Sequence, residues 1–376
     1  MERNFEIDGI RGWAALLVLI FHFFKETFTG LFPELHHPGY GILFDGRLMV
    51  FLFFVLSGDA LSNSFFTNDS SIKMHRIVIA RYFRLTFPIL ITCFLAYICV
   101  KFGLTYNHQA SVIVHSEHWL GSFLNFPVSF MGFLRFSLEE VYMNHNGTSS
   151  YNPFLWTMSI EILGSIIIFL NCFVLEKIRK QYWLWILILQ TFFFFYFGEV
   201  LSLFFFGMLL GYIRSQGFFK RIGNLKYNNL FLLFFVALVF IIMPFYQDNI
   251  FWKYETITFH IFYPTSFLFC YAGLIIFLIY CSNSLKKIFS TRISILLGEI
   301  SFPIYILQFN VLITLTSWMI IKFNEQQILN GWMYLIIPIT SMVCTIFLAL
   351  VFKVVEKKVL SKINQFIKNK LLIHSN

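Results

Sequence analysis

The sequence predicts an all-α protein, a polytopic transmembrane helical bundle of about ten helices with both termini in the cytoplasm. Of its 376 residues, 58% are hydrophobic and only 12% are charged. The mean hydropathy of +0.73 is outside the usual range of soluble domains. Apolar runs of about 20 residues recur along the whole chain, and a run of that length spans a bilayer as a helix.

The predicted spans end at charged or turn-forming residues. They cover about 12–31, 41–63, 85–102, 153–174, 183–198, 199–213, 229–246, 260–281, 296–321 and 333–352. The run 183–213 is long for one helix and short for two. Two helices with a tight turn near Gly198–Glu199 are expected, because this arrangement keeps the basic clusters Lys177–Lys180 and Arg214–Lys226 on one side.

The basic residues set the predicted orientation. Most Lys and Arg residues fall on the face that carries both termini, which the positive-inside rule makes cytoplasmic. We therefore expect an integral-membrane domain, residues 1–352, with an extracytoplasmic loop at about 103–152. A basic amphipathic cytoplasmic tail, residues 353–376, suits the surface of an anionic bilayer. This placement accounts for the net charge of +9, and nucleic acid is not expected as a partner.

The long loop is a candidate binding region, since long structured loops often carry function. Its partly apolar patch, Trp119–Phe136, fits either an interfacial segment or one that re-enters the membrane. His115 and His118 have a spacing compatible with a metal or acid–base pair, but a solvated loop is favoured. No metal site and no permanently bound cofactor are predicted. Walker, dinucleotide, HExxH and GxSxG motifs are absent from the sequence, which argues against ATP-driven transport and secreted-hydrolase chemistry.

Arg11 and His22 are ionisable residues within the first span. On an ideal helix eleven residues make about three turns and advance roughly 16 Å, so both side chains share one face. Asp8 and Glu26 lie within one turn of them. Glu26 is placed to orient the imidazole and to stabilise its protonated form. The alternative is an entry arginine that snorkels and a buried histidine bonded to a neighbouring helix, although intramembrane ionisable groups tend to be functional.

A pair of arginines marks the cytoplasmic start of the third span. Arg81 and Arg84 are three residues apart and lie on one helical face. Two guanidinium groups there suit a phosphate-bearing ligand. On position alone, a positive-inside anchor is the favoured interpretation.

Two further spans carry polar residues. Glu161 lies inside a span close to Ser159 and Trp156, and a buried carboxylate needs a partner or a proton. It fits either a functional role or a structural pair with an arginine. In the second span, the dipeptide Ser57–Gly58 allows close helix packing and is followed by Asp59.

Taken in order, these blocks resemble the membrane acyltransferase 3 family. "IDGIRGWAALLVLIFHF" resembles its first helix with an Arg-x10-His motif, here Arg11 and His22. "FFVLSGDAL", "RYFRLTFP", "LWTMSIEI" and "LGEISFPIYILQF" are similar to four further blocks, and the likeness runs from residue 7 to about residue 309. Two positions depart from the family pattern: Asp59 replaces a usual Phe, and Gln308 stands where many relatives have a histidine.

The resemblance implies an integral-membrane O-acetyltransferase. Such an enzyme moves an acetyl group from cytoplasmic acetyl-CoA to a hydroxyl of a cell-surface polysaccharide (O-antigen, capsule or exopolysaccharide) or its lipid-linked precursor. It also implies a multi-pass protein of the bacterial inner membrane. The implied partners are acetyl-CoA, the carbohydrate acceptor and the lipid bilayer.

The resemblance also suggests a role for each candidate residue. His22 would be a general base or an acyl carrier, with Glu161 and Glu26 orienting it. The implied ligands of the CoA phosphates are Arg11, Arg81 and Arg84. The implied supporting residues are Asp8, Ser57, Trp156 and Ser159. In the loop, aromatic residues such as Trp119 and Tyr151 would stack on sugar rings.

The competing hypothesis is a secondary transporter or flippase for an anionic or acylated substrate. His22, Glu161 and the arginines would then form a proton or anion pathway. No internal repeat or pair of broken helices is visible in the sequence, which counts against transport. A structural or regulatory membrane protein would leave the aligned Arg11–His22 stripe without a purpose.

Overall fold

The computed structural model describes residues 4–36, 45–67, 74–143, 145–197, 200–237 and 264–372. Every regular element in these ranges is helical, which confirms the predicted fold class. The α-helices are Phe5–Ile20, Gly46–Thr67, Met74–Lys101, Asn107–Ile113, Phe130–Arg135, Val141–Met143, Thr157–Glu176, Trp183–Tyr196, Leu201–Ser215, Phe218–Gly223, Pro264–Cys281, Asn283–Phe289, Arg292–Val311, Ser317–Glu325 and Met333–Leu372. The π-helical turns are Phe21–Glu26, Phe136–Glu140 and Leu312–Thr316. Short 3₁₀ turns are Pro33–His36, Leu120–Ser122, Gly147–Ser149, Pro153–Trp156 and Lys180–Tyr182.

Six of the described helical stretches are long and apolar enough to cross a membrane. They are Phe5–Glu26, Gly46–Thr67, Arg81–Lys101, Pro153–Glu176, Arg292–Glu325 and Met333–Lys362. A seventh crossing results if Leu268–Cys281 and Asn283–Phe289, which are bent by 100° to each other, form one broken span. The predicted span 229–246 is described only as far as residue 237. The total of ten helices and the side of the termini therefore stay predictions.

The chain divides into two compact units, which are described separately. The first unit contains Met1–Leu17, His37–Met74 and Ile160–Glu299. The second unit contains Val18–His36, His75–Ser159 and Ile300–Asn376.

In the first unit, glycines bring the helix Gly46–Thr67 against the helix Leu201–Ser215. A Cβ atom at Gly58 would collide with the backbone carbonyl of Phe204, and one at Gly207 would collide with that of Val55. Small residues let helix backbones approach closely. The packing role predicted for Gly58 is thus confirmed.

The run 183–213 forms two helices in the first unit, as predicted. Near the break between them, Phe194 stacks on Phe205 with ring centroids 4.7 Å apart. At the opposite ends, the rings of Trp183 and Tyr212 lie 6.2 Å apart. The two helices are therefore antiparallel. The predicted turn at Gly198–Glu199 lies outside the described residues.

In the second unit, part of the long loop turns back along the helix Met74–Lys101. We call residues 130–143 the re-entrant segment. The ring of Phe133 lies 5.6 Å from that of Tyr97, and the hydroxyl of Tyr142 lies 2.8 Å from that of Thr86. Between Tyr97 and Thr86 the helix axis advances roughly 16 Å. This packing favours re-entry for the C-terminal end of the patch Trp119–Phe136, and its position relative to the membrane stays a prediction.

Candidate active site

The first membrane helix changes its winding at His22. The chain is α-helical from Phe5 to Ile20 and π-helical from Phe21 to Glu26. The hydroxyl of Thr27 donates a 2.7 Å hydrogen bond to the backbone carbonyl of His22. π-Helical turns inside α-helices are frequent at functional sites. Arg11 belongs to the first unit and His22 to the second, so the surroundings of each are given separately.

Gln308 is the residue that orients the His22 imidazole. Its Oε1 lies 3.1 Å from His22 Nδ1, and its side chain is fully buried. Its Nε2 donates to the carbonyl oxygen of Tyr305 at 3.0 Å. A flipped amide would place Oε1 against that carbonyl oxygen, so Oε1 must be the atom that faces His22. Nδ1 of His22 therefore carries a proton, and in the neutral imidazole Nε2 keeps the lone pair.

Aromatic rings hold the imidazole in its plane. The ring of Phe154 stacks on that of His22 with centroids 4.0 Å apart and an angle of 5°. The ring of Trp119, from the loop, lies 5.9 Å away at an angle of 24°. The hydroxyl of Tyr305 donates to the carbonyl of Phe154. Tyr305 thus supports both Gln308 and the stacked ring.

The two loop aromatics predicted to bind sugar differ in exposure. Trp119 is partly exposed beside His22. Tyr151 is only 2% exposed, and its hydroxyl donates to the carbonyl of Ser129 at 2.9 Å. The prediction that Tyr151 stacks on a sugar is therefore wrong, because the ring serves to close the loop.

The structure does not test the role predicted for Glu26. Its backbone carbonyl accepts a 3.3 Å hydrogen bond from the hydroxyl of Ser116 in the loop. The hydrogen bond that fixes the tautomer of His22 is the one that its Nδ1–H donates to Gln308 Oε1. Orientation of the imidazole by Glu26 stays a prediction.

In the first unit, three predicted site residues lie on neighbouring turns. The hydroxyl of Ser57 donates to Oε1 of Glu161 at 2.7 Å, and both residues are buried. Nη2 of Arg11 donates to the carbonyl of Leu56 at 3.2 Å. The structure thus brings Arg11, Ser57 and Glu161 together although they are far apart in the sequence.

The backbone of Asp8 lies at a close helix contact within the first unit. A Cβ atom at Gly298 would collide with the carbonyl of Asp8, and one at Gly12 would collide with the backbone nitrogen of Gly298. The close contacts at these glycines fix the position of the first helix along its neighbour, and with it the position of Arg11. The supporting role predicted for Asp8 is not tested by these contacts.

Trp156 and Ser159 lie at the start of the helix that carries Glu161. The hydroxyl of Ser159 donates to the carbonyl of Trp156 at 3.0 Å. Trp156 is exposed and Ser159 is half-buried. This hydrogen bond serves the helix start, and the supporting roles of both residues stay predictions.

Arg81 and Arg84 lie on the helix Met74–Lys101 in the second unit. Arg84 is exposed and lies within electrostatic range of both Arg81 and Glu356. The rings of Phe87 and Phe352 lie 6.4 Å apart, so the helix Met333–Leu372 packs alongside. Arg81 is half-buried, so the pair is a partly accessible cationic patch, with the carboxylate of Glu356 near Arg84.

Asp59 forms a buried ion pair that the sequence analysis missed. Nη2 of Arg214 donates to Oδ1 of Asp59 at 2.6 Å, and the Tyr280 hydroxyl donates to Oδ2 at 2.6 Å. Asp59 is fully buried. A Cβ atom at Gly211 would come within 2.7 Å of Oδ1, so this glycine makes room for the carboxylate. Asp59 introduces a buried negative charge where the family pattern has Phe, and Arg214 supplies the opposite charge.

Within the described residues, no group of three or more His, Cys, Asp or Glu side chains is placed to hold a metal ion. His115 is exposed in the loop, and so is His118. Their surroundings fit the solvated loop that the sequence favoured.

The fold and these side chains define a helical membrane protein that carries ionisable groups inside its spans. The family model of the acyltransferase 3 family, described as an acyltransferase domain, matches residues 4–354. The chain belongs to this family, and the predicted resemblance is confirmed. It is therefore a membrane acyltransferase. No match is found among curated proteins or among solved structures.

Proposed function

We propose that this membrane acyltransferase transfers an acetyl group from cytoplasmic acetyl-CoA to a hydroxyl of a cell-surface polysaccharide or its lipid-linked precursor. The proposed setting is the inner membrane of a bacterium. The observation that carries the proposal is the hydrogen bond between His22 Nδ1 and Gln308, which leaves Nε2 as a base. The family supports acyl transfer, and its usual chemistry suggests the acetyl donor and the carbohydrate acceptor.

The proposed reaction uses His22 as a general acid–base catalyst. Nε2 takes the proton of the acceptor hydroxyl while the oxygen attacks the carbonyl carbon of the thioester. The tetrahedral intermediate then collapses, the carbon–sulfur bond breaks, and the imidazolium returns the proton to the departing thiolate. The products are the acetyl ester and the free thiol of CoA. Gln308 Oε1 accepts from Nδ1–H throughout and stabilises the imidazolium.

The stacked rings serve the same reaction by limiting the access of water. Water competes with the acceptor hydroxyl for the thioester, and an apolar wall beside the base disfavours it. Phe154 and Trp119 form such a wall against the imidazole. Trp119 remains the proposed stacking partner of the acceptor sugar.

The donor would be held through its phosphates. Arg81 and Arg84 are the proposed ligands, because paired guanidinium groups bind phosphate oxygens with several charge-assisted hydrogen bonds. Arg11 is proposed as a further phosphate ligand on the family pattern. The residues proposed to orient or support the site are Glu161, Glu26, Asp8, Ser57, Trp156 and Ser159.

The test is transfer of labelled acetyl-CoA to a candidate glycan in inside-out vesicles that contain the purified protein. We expect His22→Ala to lower transfer roughly 10²–10⁴-fold, the usual contribution of a positioned acid–base group. The control is His118→Ala, since His118 is an exposed loop histidine, and it should retain wild-type transfer. Equal labelling by wild type and His22→Ala would overturn the assigned role.

The transport hypothesis makes a different prediction in the same vesicles. If label crosses the membrane but reaches none of the glycans, a transporter or flippase is supported instead. An acyl-carrier role for His22 is tested by rapid denaturation in the absence of acceptor. Label bound to wild type but not to His22→Ala would indicate an acyl-imidazole formed at Nε2.

A further inference from the structure

A polar cavity in the first unit is not used by the proposed reaction. Its volume is about 210 Å³, and its walls carry three cationic side chains, one carboxylate and two amides. These are Arg214, Lys220, Lys286, Glu6, Asn224 and Asn283. In the predicted topology its basic residues belong to the positive cytoplasmic face.

The base of the cavity is a fixed guanidinium group. Arg214 is held by Oδ1 of Asp59 at 2.6 Å and by Oδ1 of Asn63 at 3.1 Å. Asp59 is itself fixed by the hydroxyl of Tyr280. A buried carboxylate anchored at both oxygens holds Arg214 in one position, so its charge is presented to the cavity without a large loss of side-chain freedom.

A sharp bend forms one wall of the cavity. The helices on either side of Ser282 are bent by 100°, and Ser282 Oγ accepts from the backbone nitrogen of Leu285. Asn228 joins the two sides, because its Nδ2 donates to the carbonyl of Cys281 at 2.7 Å and its Oδ1 accepts from the nitrogen of Asn283 at 2.9 Å. The wall that carries Asn283 and Lys286 is thus held by hydrogen bonds.

The lysines give the cavity an excess of positive charge. Across the described residues, no carboxylate lies within ion-pair distance of Lys220 or Lys286. Lys286 is within electrostatic range of Glu6. Even with Asp59 and Glu6 counted, the cations outnumber the carboxylates. Such an excess around a small polar space attracts an anion.

We propose that this cavity binds a phosphate group. Its volume of about 210 Å³ accommodates one phosphate with a few waters. The lysine and arginine donors that line the cavity match the several acceptor oxygens of a tetrahedral anion. The phosphate belongs to a free ion, to one end of a larger phosphate ester, or to a lipid headgroup. The site does not depend on the proposed acyl transfer.

The experiment measures binding of radiolabelled inorganic phosphate to the full-length protein in detergent by equilibrium dialysis. Wild type should show one saturable site. The double variant Lys220→Gln, Lys286→Gln should bind at least about tenfold more weakly, since each lysine supplies a charge-assisted hydrogen bond. The matched control is Lys226→Gln, Lys287→Gln, because these exposed lysines do not line the cavity.

Two results would overturn the proposal: no saturable site in wild type, or equal affinity in wild type and the lysine double variant. Arg214 is not replaced, because its loss would leave Asp59 unpaired and unfold the unit. An unchanged thermal unfolding profile shows that the glutamine variants are folded. The readout requires no acyl transfer, so its failure leaves the role of His22 untouched.

Competition arms identify the source of the phosphate. Displacement of the label by CoA but not by 3′-dephospho-CoA would assign the site to the 3′-phosphate of the acyl donor. Displacement by vesicles containing phosphatidic acid, but not by phosphatidylcholine vesicles, would assign it to a lipid headgroup. Displacement by unlabelled phosphate alone would assign it to the free ion.

Discussion

Gln308 determines which nitrogen of His22 is available for chemistry. The amide is held in one orientation by the carbonyl of Tyr305, so it accepts from Nδ1. In the sequence this position departs from the family pattern, since many relatives have a histidine there. A glutamine and a histidine can each present an acceptor to the imidazole, however, and here Gln308 does so.

We predict that Gln308→Leu lowers kcat about 10–100-fold, the usual cost of removing a residue that orients a functional histidine. KM for acetyl-CoA should be unchanged, because Gln308 acts through His22. Gln308→His should restore part of kcat, since a histidine can also accept from Nδ1–H. Steady-state kinetics with Gln326→Leu as the control would check this, as Gln326 is exposed. A change confined to KM would contradict the positioning role.

The ion pair of Asp59 and Arg214 illustrates what one sequence does not reveal. The two residues are separated by 155 positions, and neither lies in a pattern that names the other. The polar character of Asp59 inside a span was visible, but its partner depends on tertiary packing. In contrast, Arg11 and Glu161 stood out as candidates from their types and positions alone, because ionisable groups inside spans are rare.

Breaking that ion pair should destabilise the first unit. Asp59→Ala leaves the half-buried guanidinium of Arg214 without its carboxylate, and this should cost less than the roughly 3–5 kcal/mol typical of a fully buried pair. The double variant Asp59→Phe, Arg214→Leu removes both charges and should recover much of the loss. Thermal unfolding in detergent measures the melting temperatures, and the double variant should melt above Asp59→Ala. Equal melting temperatures for Asp59→Ala and the double variant would show that the pair is not coupled.

The arginine pair of the third span gives a direct test of donor binding. Arg81→Ala combined with Arg84→Ala should weaken CoA binding at least about tenfold, as two charge-assisted contacts to phosphate are lost. Isothermal titration calorimetry measures the affinity, with Arg292→Ala as the control because Arg292 is exposed and distant in sequence. Unchanged affinity would return both residues to the role of a positive-inside anchor.

At the scale of elements, the re-entrant segment is the main addition to the predicted fold. Periodic apolar runs predicted the described spans and the helical hairpin 183–213, because length and charge placement suffice for those. The course of the re-entrant segment depends on particular side-chain contacts, such as the hydrogen bond between Thr86 and Tyr142. Composition does not distinguish such a segment from one that lies at the interface, so the sequence left both open.

A disulfide should trap the re-entrant segment against its helix. The side chain of Ser137 lies near the thiol of Cys93, so Ser137→Cys should place two sulfurs within reach of each other. Mild oxidation should then link the two positions, as detected by mass spectrometry of a proteolytic digest. Ser122→Cys, in the loop, should give no link to Cys93. If no disulfide joins Cys93 to the introduced cysteine, the packing of residues 130–143 on this helix is wrong.

At the scale of the whole molecule, the charge distribution predicts the topology. The tail from residue 353 and the termini are expected on the cytoplasmic side, and the loop at about 103–152 on the other. The described ranges contain six spans, or seven with the bent pair, and residues 238–263 lie outside them. An experiment on accessibility is therefore the direct test.

We predict that a membrane-impermeant maleimide labels Glu117→Cys in intact cells with permeabilised outer membranes, and labels Lys358→Cys only in inside-out vesicles. Both positions are exposed. The background carries serine in place of the six natural cysteines. Labelling of both positions from the same side would require an even number of crossings between them, and the predicted topology would be rejected.

The π turn at Phe21–Glu26 also has a consequence for comparing homologues. A π turn accommodates about one residue more than an α turn of similar length. A relative with a single-residue deletion here would continue as an α-helix, with the side chains beyond the gap on nearly the same face but one position earlier in the count from Arg11. An alignment that places such gaps in loops by default would misassign the histidine. Counting residues from Arg11 identifies the same functional position only in chains that share this insertion.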